Sequence, residues 1–273
     1  MLSTQRLVTG FILLAVMTAT FVCGGLALVA LAALVTALAL WEFYGLFWPG
    51  GNKLAAKALA TAFGGLFVLA QSTALTTSLG LVSGFTVLLA LVFLLARGFG
   101  SREIDMPSLT PLLYGLAYIA LPLGMALSLS MAEQFFVVFV AILTDSGGYF
   151  GGLYFGKHKI WPSVSPNKTV EGSLGGLLAT LALCLGVGVY STASGGGLFP
   201  PLPLWGWLLF GVFLNLAAQA GDFFESALKR SMNIKDSGGL LPGHGGVLDR
   251  IDSLLFVIPA YLVSRHLLLT LAG

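Results

Sequence analysis

Charge is what this chain has least of. Asp, Glu, Lys and Arg together make up 9% of its 273 residues, against about 25% in an ordinary soluble domain. A water-soluble fold of this size could not cover its surface with so little. Cysteine is almost absent. Cys23 and Cys184 lie far apart in apolar runs, so neither a zinc motif nor a disulfide framework is available. There is no long basic run, and the net charge is only +2, which excludes a nucleic-acid partner. No internal repeat is visible, although many transporter folds carry one. What is abundant is apolar surface: 57% of the residues are hydrophobic and the mean hydropathy is +0.96. Such a chain is too apolar to be disordered. It reads as an all-α, polytopic integral membrane protein.

A helix crosses a bilayer with about 20 mostly apolar residues. Nine stretches qualify or nearly qualify: 7–23, 25–47, 58–72, 80–96, 112–131, 135–156, 172–191, 204–221 and 251–270. The first resembles a signal peptide in having Arg6 ahead of an apolar run. However, no small-x-small cleavage site precedes Cys23, so an uncleaved first helix is expected. With nine spans, twelve of the thirteen Lys and Arg residues fall on one side, and Arg265 alone on the other. The positive-inside bias then places the N-terminus and the long loops in the cytoplasm, with the cell's inner (cytoplasmic) membrane as the expected location. Of the 24 charged residues, 14 lie between Asp145 and Asp252, and the first 144 positions hold nine. Residues 1–132 therefore read as a transmembrane scaffold. Residues 133–273 read as a catalytic transmembrane region with cytoplasmic loops 157–171 and 222–250.

Four features in the second region carry chemistry. Asp145 sits late in the sixth span, where a carboxylate costs about 2.5–3.5 kcal/mol unless it is paired or faces water. It is either an interfacial residue or a ligand in a polar cavity. The segment Ser165-Pro166-Asn167-Lys168-Thr169-Val170-Glu171-Gly172 puts a helix cap, Thr169, beside Lys168, and a helix N-terminus with a lysine is a plausible phosphate seat. Asp222, Glu225, Ser226 and Lys229 share one helix face. Two acids and a hydroxyl there can hold a divalent cation, and Lys229 or Arg230 can meet phosphate oxygens. The stretch from Gly238 to Gly246 has five glycines in nine residues, too many for a stable helix and suited to amide nests that bind anions. Asp249 and Asp252 follow on one face of the last span. With Asp222 they make an oxygen-rich set of the kind Mg²⁺ uses with substrate phosphates. Two other patterns are set aside. Gly148, Gly152 and Gly156 read as close helix packing. Gly151 to Lys157 matches a P-loop spacing, but His158 stands where Ser or Thr is needed and no strand precedes it.

The 27 residues from Ser226 to Asp252 resemble the signature of the CDP-diacylglycerol synthase (phosphatidate cytidylyltransferase) family. The matching positions are Ser226, Lys229, Arg230, Lys235, Asp236, Gly238, Leu241, Pro242, His244, Gly245, Gly246, Asp249, Arg250 and Asp252. The upstream Ser165–Gly172 segment and Asp145 also look like the family pattern, with Asn167 where a lysine is common. Glu42, in Trp41-Glu42-Phe43, is read as an interfacial residue and left out of the site.

The resemblance implies that phosphatidic acid and CTP are converted to CDP-diacylglycerol and pyrophosphate. It implies Mg²⁺ as cofactor, with K⁺ at a paired site, and Asp222 and Asp249 as first metal ligands. Asp145 and Asp252 are further catalytic acids. Lys168, Ser226, Lys229, Arg230, Lys235, His244 and Arg250 are the implied substrate-binding residues. Lipid tails entering sideways from the bilayer, and a homodimer, follow from the same resemblance. A CDP-alcohol phosphotransferase is the nearest rival, but its Asp-Gly-x-x-Ala-Arg motif is missing, and no Asp-Gly pair occurs anywhere. A solute transporter is the rival from another class. It is disfavoured because the charge sits in loops rather than mid-span.

Overall fold

The structure is a computed structural model, and it describes residues 4–49, 53–71, 106–195, 198–199, 201–243 and 245–272. Among these the secondary structure is helical, with two isolated bridges, Lys159 to Thr169 and Leu241 to Gly245, and no strand. The helices are α1 (Thr4–Cys23), α2 (Gly25–Phe47), α3 (Leu54–Gln71), α4 (Met106–Gly115), α5 (Leu121–Ala126), α6 (Met131–Phe155), α7 (Val170–Ala193), α8 (Leu204–Ser231) and α9 (Leu248–Ala272). A π-helical turn, Leu116–Ala120, joins α4 to α5. Six of these helices (α2, α3, α6, α7, α8 and α9) are long and apolar enough to cross a membrane. The chain is a multi-pass membrane protein. The expected span at 80–96 lies outside the described residues.

The chain divides into two compact units, Met1–Ser128 with Met232–Arg250, and Leu129–Ser231 with Ile251–Gly273. In the first, α2 packs on α3 and on the α4–α5 segment. Its core is aromatic: Phe43 and Tyr44 are fully buried, and the Tyr44 hydroxyl donates to the Leu112 carbonyl at 3.2 Å. Gly115 lets that ring approach, since a Cβ there would lie 2.7 Å from it. The expected span over 112–131 is instead a shorter helix that carries a π turn and stops at Ala126. Pro122 has no N–H to offer the carbonyl of Tyr118, and the backbone widens into the π turn, with Leu121 N–H reaching back to Leu116 O. The helix then ends at Ala126, and Ser130 starts the next one.

In the second unit, α6 begins with a capping box. Ser130 Oγ accepts from Glu133 N–H, and the Glu133 carboxylate accepts from Ser130 N–H at 2.8 Å. The same carboxylate takes the Tyr261 hydroxyl at 2.7 Å and the Arg265 guanidinium at 2.6 Å, both from α9. Phe136, Trp207, Phe210 and Tyr261 form the adjacent aromatic core. The opposite half of α6 packs closely on α7 along a seam rich in glycine. A Cβ at Gly147 would lie 2.7 Å from the Gly175 carbonyl, and one at Gly175 would lie 2.6 Å from the Gly147 carbonyl. Of the glycines read as packing, Gly148 and Gly152 come close to Gly172 of α7, whereas Gly156 caps the end of α6; small residues let the backbones touch, where dispersion and weak hydrogen bonds hold helices together in lipid. The P-loop spacing at Gly151–Lys157 lies mostly within α6, which runs to Phe155, so no phosphate loop exists there.

Candidate active site

Within the second unit, the α6–α7 hairpin shapes a polar pocket. Thr169 caps α7 by accepting from Gly172 N–H at 3.1 Å, as its position before an apolar run predicts. Glu171, in the first turn, accepts from Lys157 N–H at 2.9 Å and His158 N–H at 3.1 Å, and pairs with the His158 imidazole at 2.6 Å. This ties the end of α6 to the start of α7 and sets the backbone of the intervening loop. Lys168 is thereby held over the Phe223 ring, 4.5 Å from its centroid. Its ammonium forms an ion pair with Asp222 of α8. A cavity of about 420 Å³ opens beside this pair, with Asp145, Lys168, Ser173, Gln219 and Asp222 on its wall. Asp145 is exposed there rather than buried in helix packing.

Below the cavity lies a buried polar chain. The Gln219 amide donates to Asn215 Oδ1 at 2.6 Å and to the Ser173 carbonyl at 3.2 Å. The Asn215 amide donates to the Thr144 hydroxyl at 3.2 Å, and Thr144 and Thr180 share a hydrogen bond at 2.9 Å. Thr144, Thr180 and Asn215 are all buried. Since polar groups in a membrane interior must find partners, this chain fixes α6, α7 and α8 in one register beneath the pocket.

One helix turn beyond Asp222, α8 carries the rest of the predicted face. Ser226 Oγ donates weakly to Asp222 at 3.4 Å. Lys229 pairs with Glu225 at 2.6 Å, with only 12% and 1% of their side chains exposed. Asp252 of α9 lies beside Asp222, Lys229 and Glu225, and its carboxylate accepts from Ser253 N–H at 2.6 Å. Arg230 is exposed, with its Nε donating to the Val164 carbonyl at 3.3 Å. The stretch 222–231, expected in a loop, continues α8 as helix to Ser231. Helix-forming residues and the Glu225–Lys229 pair carry it past the apolar span.

In the first unit, the glycine-rich segment folds around two carboxylates. Asp249, in the first turn of α9, accepts from Ser237 N–H at 3.1 Å and Gly246 N–H at 2.8 Å. Glu42 of α2, 6% exposed, accepts from Leu248 N–H at 2.9 Å and is 3.5 Å from the Ser237 hydroxyl. Of these three amides only that of Gly246 lies in the Gly238–Gly246 stretch, and it holds an acidic side chain of the chain itself. Lys235 and Arg250 are exposed in this unit. His244 lies outside the described residues.

The structure thus brings Asp145, Lys168 and Asp222 to one cavity, sets Ser226 and Asp252 beside Asp222, and pairs Lys229 with Glu225. The sequence reading missed Gln219 and Glu171 and set Glu42 aside. Gln219 could have been found three residues before Asp222 on the same helix face, and Glu171 two residues after a cap. Glu42 had only its place in Trp41-Glu42-Phe43, a short match to the family pattern that an interfacial charge explains equally well. Among the described residues, no three His, Cys, Asp or Glu side chains form a ready-made metal cage. Mg²⁺ does not require one, because one or two carboxylates plus substrate phosphates suffice. Asp222 with Asp252 beside it is a donor set of that kind.

The model of the Cytidylyltransferase family matches residues 4–268. Curated relatives named phosphatidate cytidylyltransferase include one from Staphylococcus saprophyticus, 45% identical over 124 residues (45% of this chain and 45% of the relative). One from Bacillus subtilis is 44% identical over 146 residues, 54% of this chain and 46% of the relative. One from Staphylococcus aureus is 48% identical over 119 residues, 43% of this chain and 42% of the relative. The matched stretch spans a little under half the length of each relative. The family model, in contrast, runs over nearly the whole chain, and the chain belongs to the cytidylyltransferase family.

Proposed function

We infer that this protein is a phosphatidate cytidylyltransferase: it transfers the cytidylyl group of CTP to phosphatidic acid, giving CDP-diacylglycerol and pyrophosphate. The observation that carries this reading is the cavity of the second unit, where Lys168, Asp145 and Asp222 converge in a membrane helix bundle. Family membership and the names of the relatives support it. An oxygen of the lipid phosphate attacks the α-phosphorus of CTP, and the bond from that phosphorus to the bridging oxygen of the β-phosphate breaks. A phosphate monoester has a second pKa near 6, so the nucleophile is largely ionised at pH 7. No strong general base is needed. The barrier is the approach of two anions, which positioned charge lowers.

Lys168 fits that role. Its ammonium already partners a carboxylate at the cavity wall, and it can turn to a phosphate oxygen that enters the cavity. Lys229, Arg230, Lys235, His244 and Arg250 are proposed as further phosphate ligands on the strength of their motif positions, with Ser226 beside Asp222. Mg²⁺, when bound, neutralises triphosphate charge and polarises the reacting phosphorus. Asp222 and Asp249 are proposed as its ligands from their places in the motif, with Asp145 and Asp252 as further acids and K⁺ as a second ion. The same reading places nine spans in the inner membrane, the N-terminus and the site on the cytoplasmic side, and two copies in the functional unit.

The test is a transfer assay with purified protein, phosphatidic acid, Mg²⁺ and CTP labelled at the α-phosphate. Label is expected in the organic phase with the wild type and not with a folded Asp249→Asn variant. Folded wild type that leaves all label in the aqueous phase would refute the reading.

A further inference from the structure

We propose that Glu42 is a positioning residue for the reaction: from α2 it clamps the glycine-rich loop and so holds Asp249 in place. Its carboxylate is buried among apolar neighbours late in a candidate span, where a charge is costly unless it is engaged. Its partners all come from the loop and the start of α9. Glu42 Oε2 accepts from Leu248 N–H at 2.9 Å and is 3.5 Å from Ser237 Oγ. Ser237 N–H in turn donates to Asp249, which Gly246 N–H also holds at 2.8 Å. The links therefore run from Glu42 through Ser237 to Asp249, and from Glu42 directly to the amide that precedes Asp249.

The loop is shaped to receive this carboxylate. A Cβ on Gly238 would strike Glu42 Oε1, and a Cβ on Gly246 would strike both Ser237 Oγ and Glu42 Oε2. Two of the motif's glycines are thus explained by close approach to a residue almost 200 positions earlier, rather than by a phosphate. Glu42 Oε1 has no hydrogen-bond partner among the described residues, and Glu42 lines a second cavity together with Trp41, Lys57 and Gly238. The Lys57 ammonium stands 4.1 Å over the Trp41 ring. Residues that orient an ion ligand through hydrogen bonds change metal affinity or activity by about 10–100-fold when removed.

This role presupposes the Mg²⁺-dependent transfer proposed above, so two readouts are needed. The first is hydrogen exchange of the 236–249 backbone in full-length protein in detergent. The second is the Mg²⁺ concentration that half-saturates cytidylyl transfer. Glu42→Ala should speed exchange at Ser237, Gly246 and Leu248 and raise the half-saturating Mg²⁺ by about 10-fold or more. Glu42→Gln, whose amide oxygen still accepts from Leu248 N–H, should recover most of both. Gly238→Ala, which crowds the carboxylate without removing it, should act like Glu42→Ala, and it decides the matter if Glu42→Ala does not fold. Wild-type exchange, or wild-type Mg²⁺ dependence, in a folded Glu42→Ala or Gly238→Ala protein overturns the proposal. So does a Glu42→Gln variant no better than Glu42→Ala. Full turnover in Asp249→Asn would refute the metal role of Asp249 instead, and exchange alone would then decide whether Glu42 holds the loop.

Discussion

Lys229 offers the sharpest separation of structural from chemical roles. Its motif position marks it as a phosphate ligand, yet its ammonium lies 2.6 Å from Glu225, and the two side chains are 12% and 1% exposed. On an exposed helix face such an i,i+4 pair is worth about 0.3–0.5 kcal/mol. Here the Coulomb attraction at an effective dielectric near 20 is about 6 kcal/mol, most of it offsetting the cost of desolvating two charges. What decides the outcome is the charge left behind. Removing one member of a buried pair costs on the order of 3–5 kcal/mol, a fall of roughly 10 °C in unfolding midpoint for a chain of this size. Lys229→Ala should therefore lose both stability and turnover. The double variant Glu225→Gln/Lys229→Ala should recover part of the stability, because Glu225 is no longer a stranded buried charge although Asp252 still loses the ammonium beside it, while turnover stays low. The assay is thermal unfolding in detergent beside cytidylyl transfer on the same preparations. An unchanged midpoint in Lys229→Ala, or a double variant as unstable as the single, would refute the buried-pair argument. Restored turnover in the double variant would remove Lys229 from substrate binding.

Three further outcomes follow from the geometry. Gly147→Val should drive α6 from α7, since even a Cβ would overlap the Gly175 carbonyl; a loss of about 1–3 kcal/mol should show as a lower unfolding midpoint, whereas Gly186→Ala, with nothing near its Cβ position, should leave the midpoint unchanged. Lys168→Ala should raise the KM for CTP or phosphatidic acid by about 10-fold or more, one to two charge-assisted hydrogen bonds at roughly 1.5–3 kcal/mol each, with the unfolding midpoint little changed because the partner Asp222 is a quarter exposed; an unaltered KM would make Lys168 a structural anchor. A single cysteine placed at exposed Lys235, in a background lacking Cys23 and Cys184, should react with an impermeant maleimide only from the cytoplasmic side, and labelling from outside would reverse the proposed orientation.

Much of this molecule could be read from one dimension, because a bilayer is a simple solvent. Apolar runs of helical length predicted α2, α6, α7 and α9 close to their observed limits, and the start of α8, since nothing but a helix satisfies its own backbone in lipid. Thr169 as a cap and the glycines of α6 as a packing seam were equally legible, being consequences of local backbone geometry. The density of charge after Asp145 pointed to the polar half, and the spacing of Asp222, Ser226 and Lys229 put them on one face.

Other features depended on which helices meet. The π turn at Leu116–Ala120 arises from Pro122 in its packed setting and is invisible to a hydropathy average. That Lys168 pairs with Asp222, and that Gln219 links the pocket to Asn215 and Thr144, depends on α6, α7 and α8 coming together. Glu42 is the clearest case. By composition it is a lone charge in an apolar helix, and the glycine-rich segment is a loop ready for any anion. Folding joins them, and the Ser237, Gly246 and Leu248 amides around that segment hold Glu42 and Asp249. Sequence alone determined the residue types, the helices and the faces they present, because these follow from local geometry and solvent. Tertiary structure decided which donor meets which acceptor, because a hydrogen bond depends on a few ångströms of distance between segments that the chain keeps nearly two hundred residues apart.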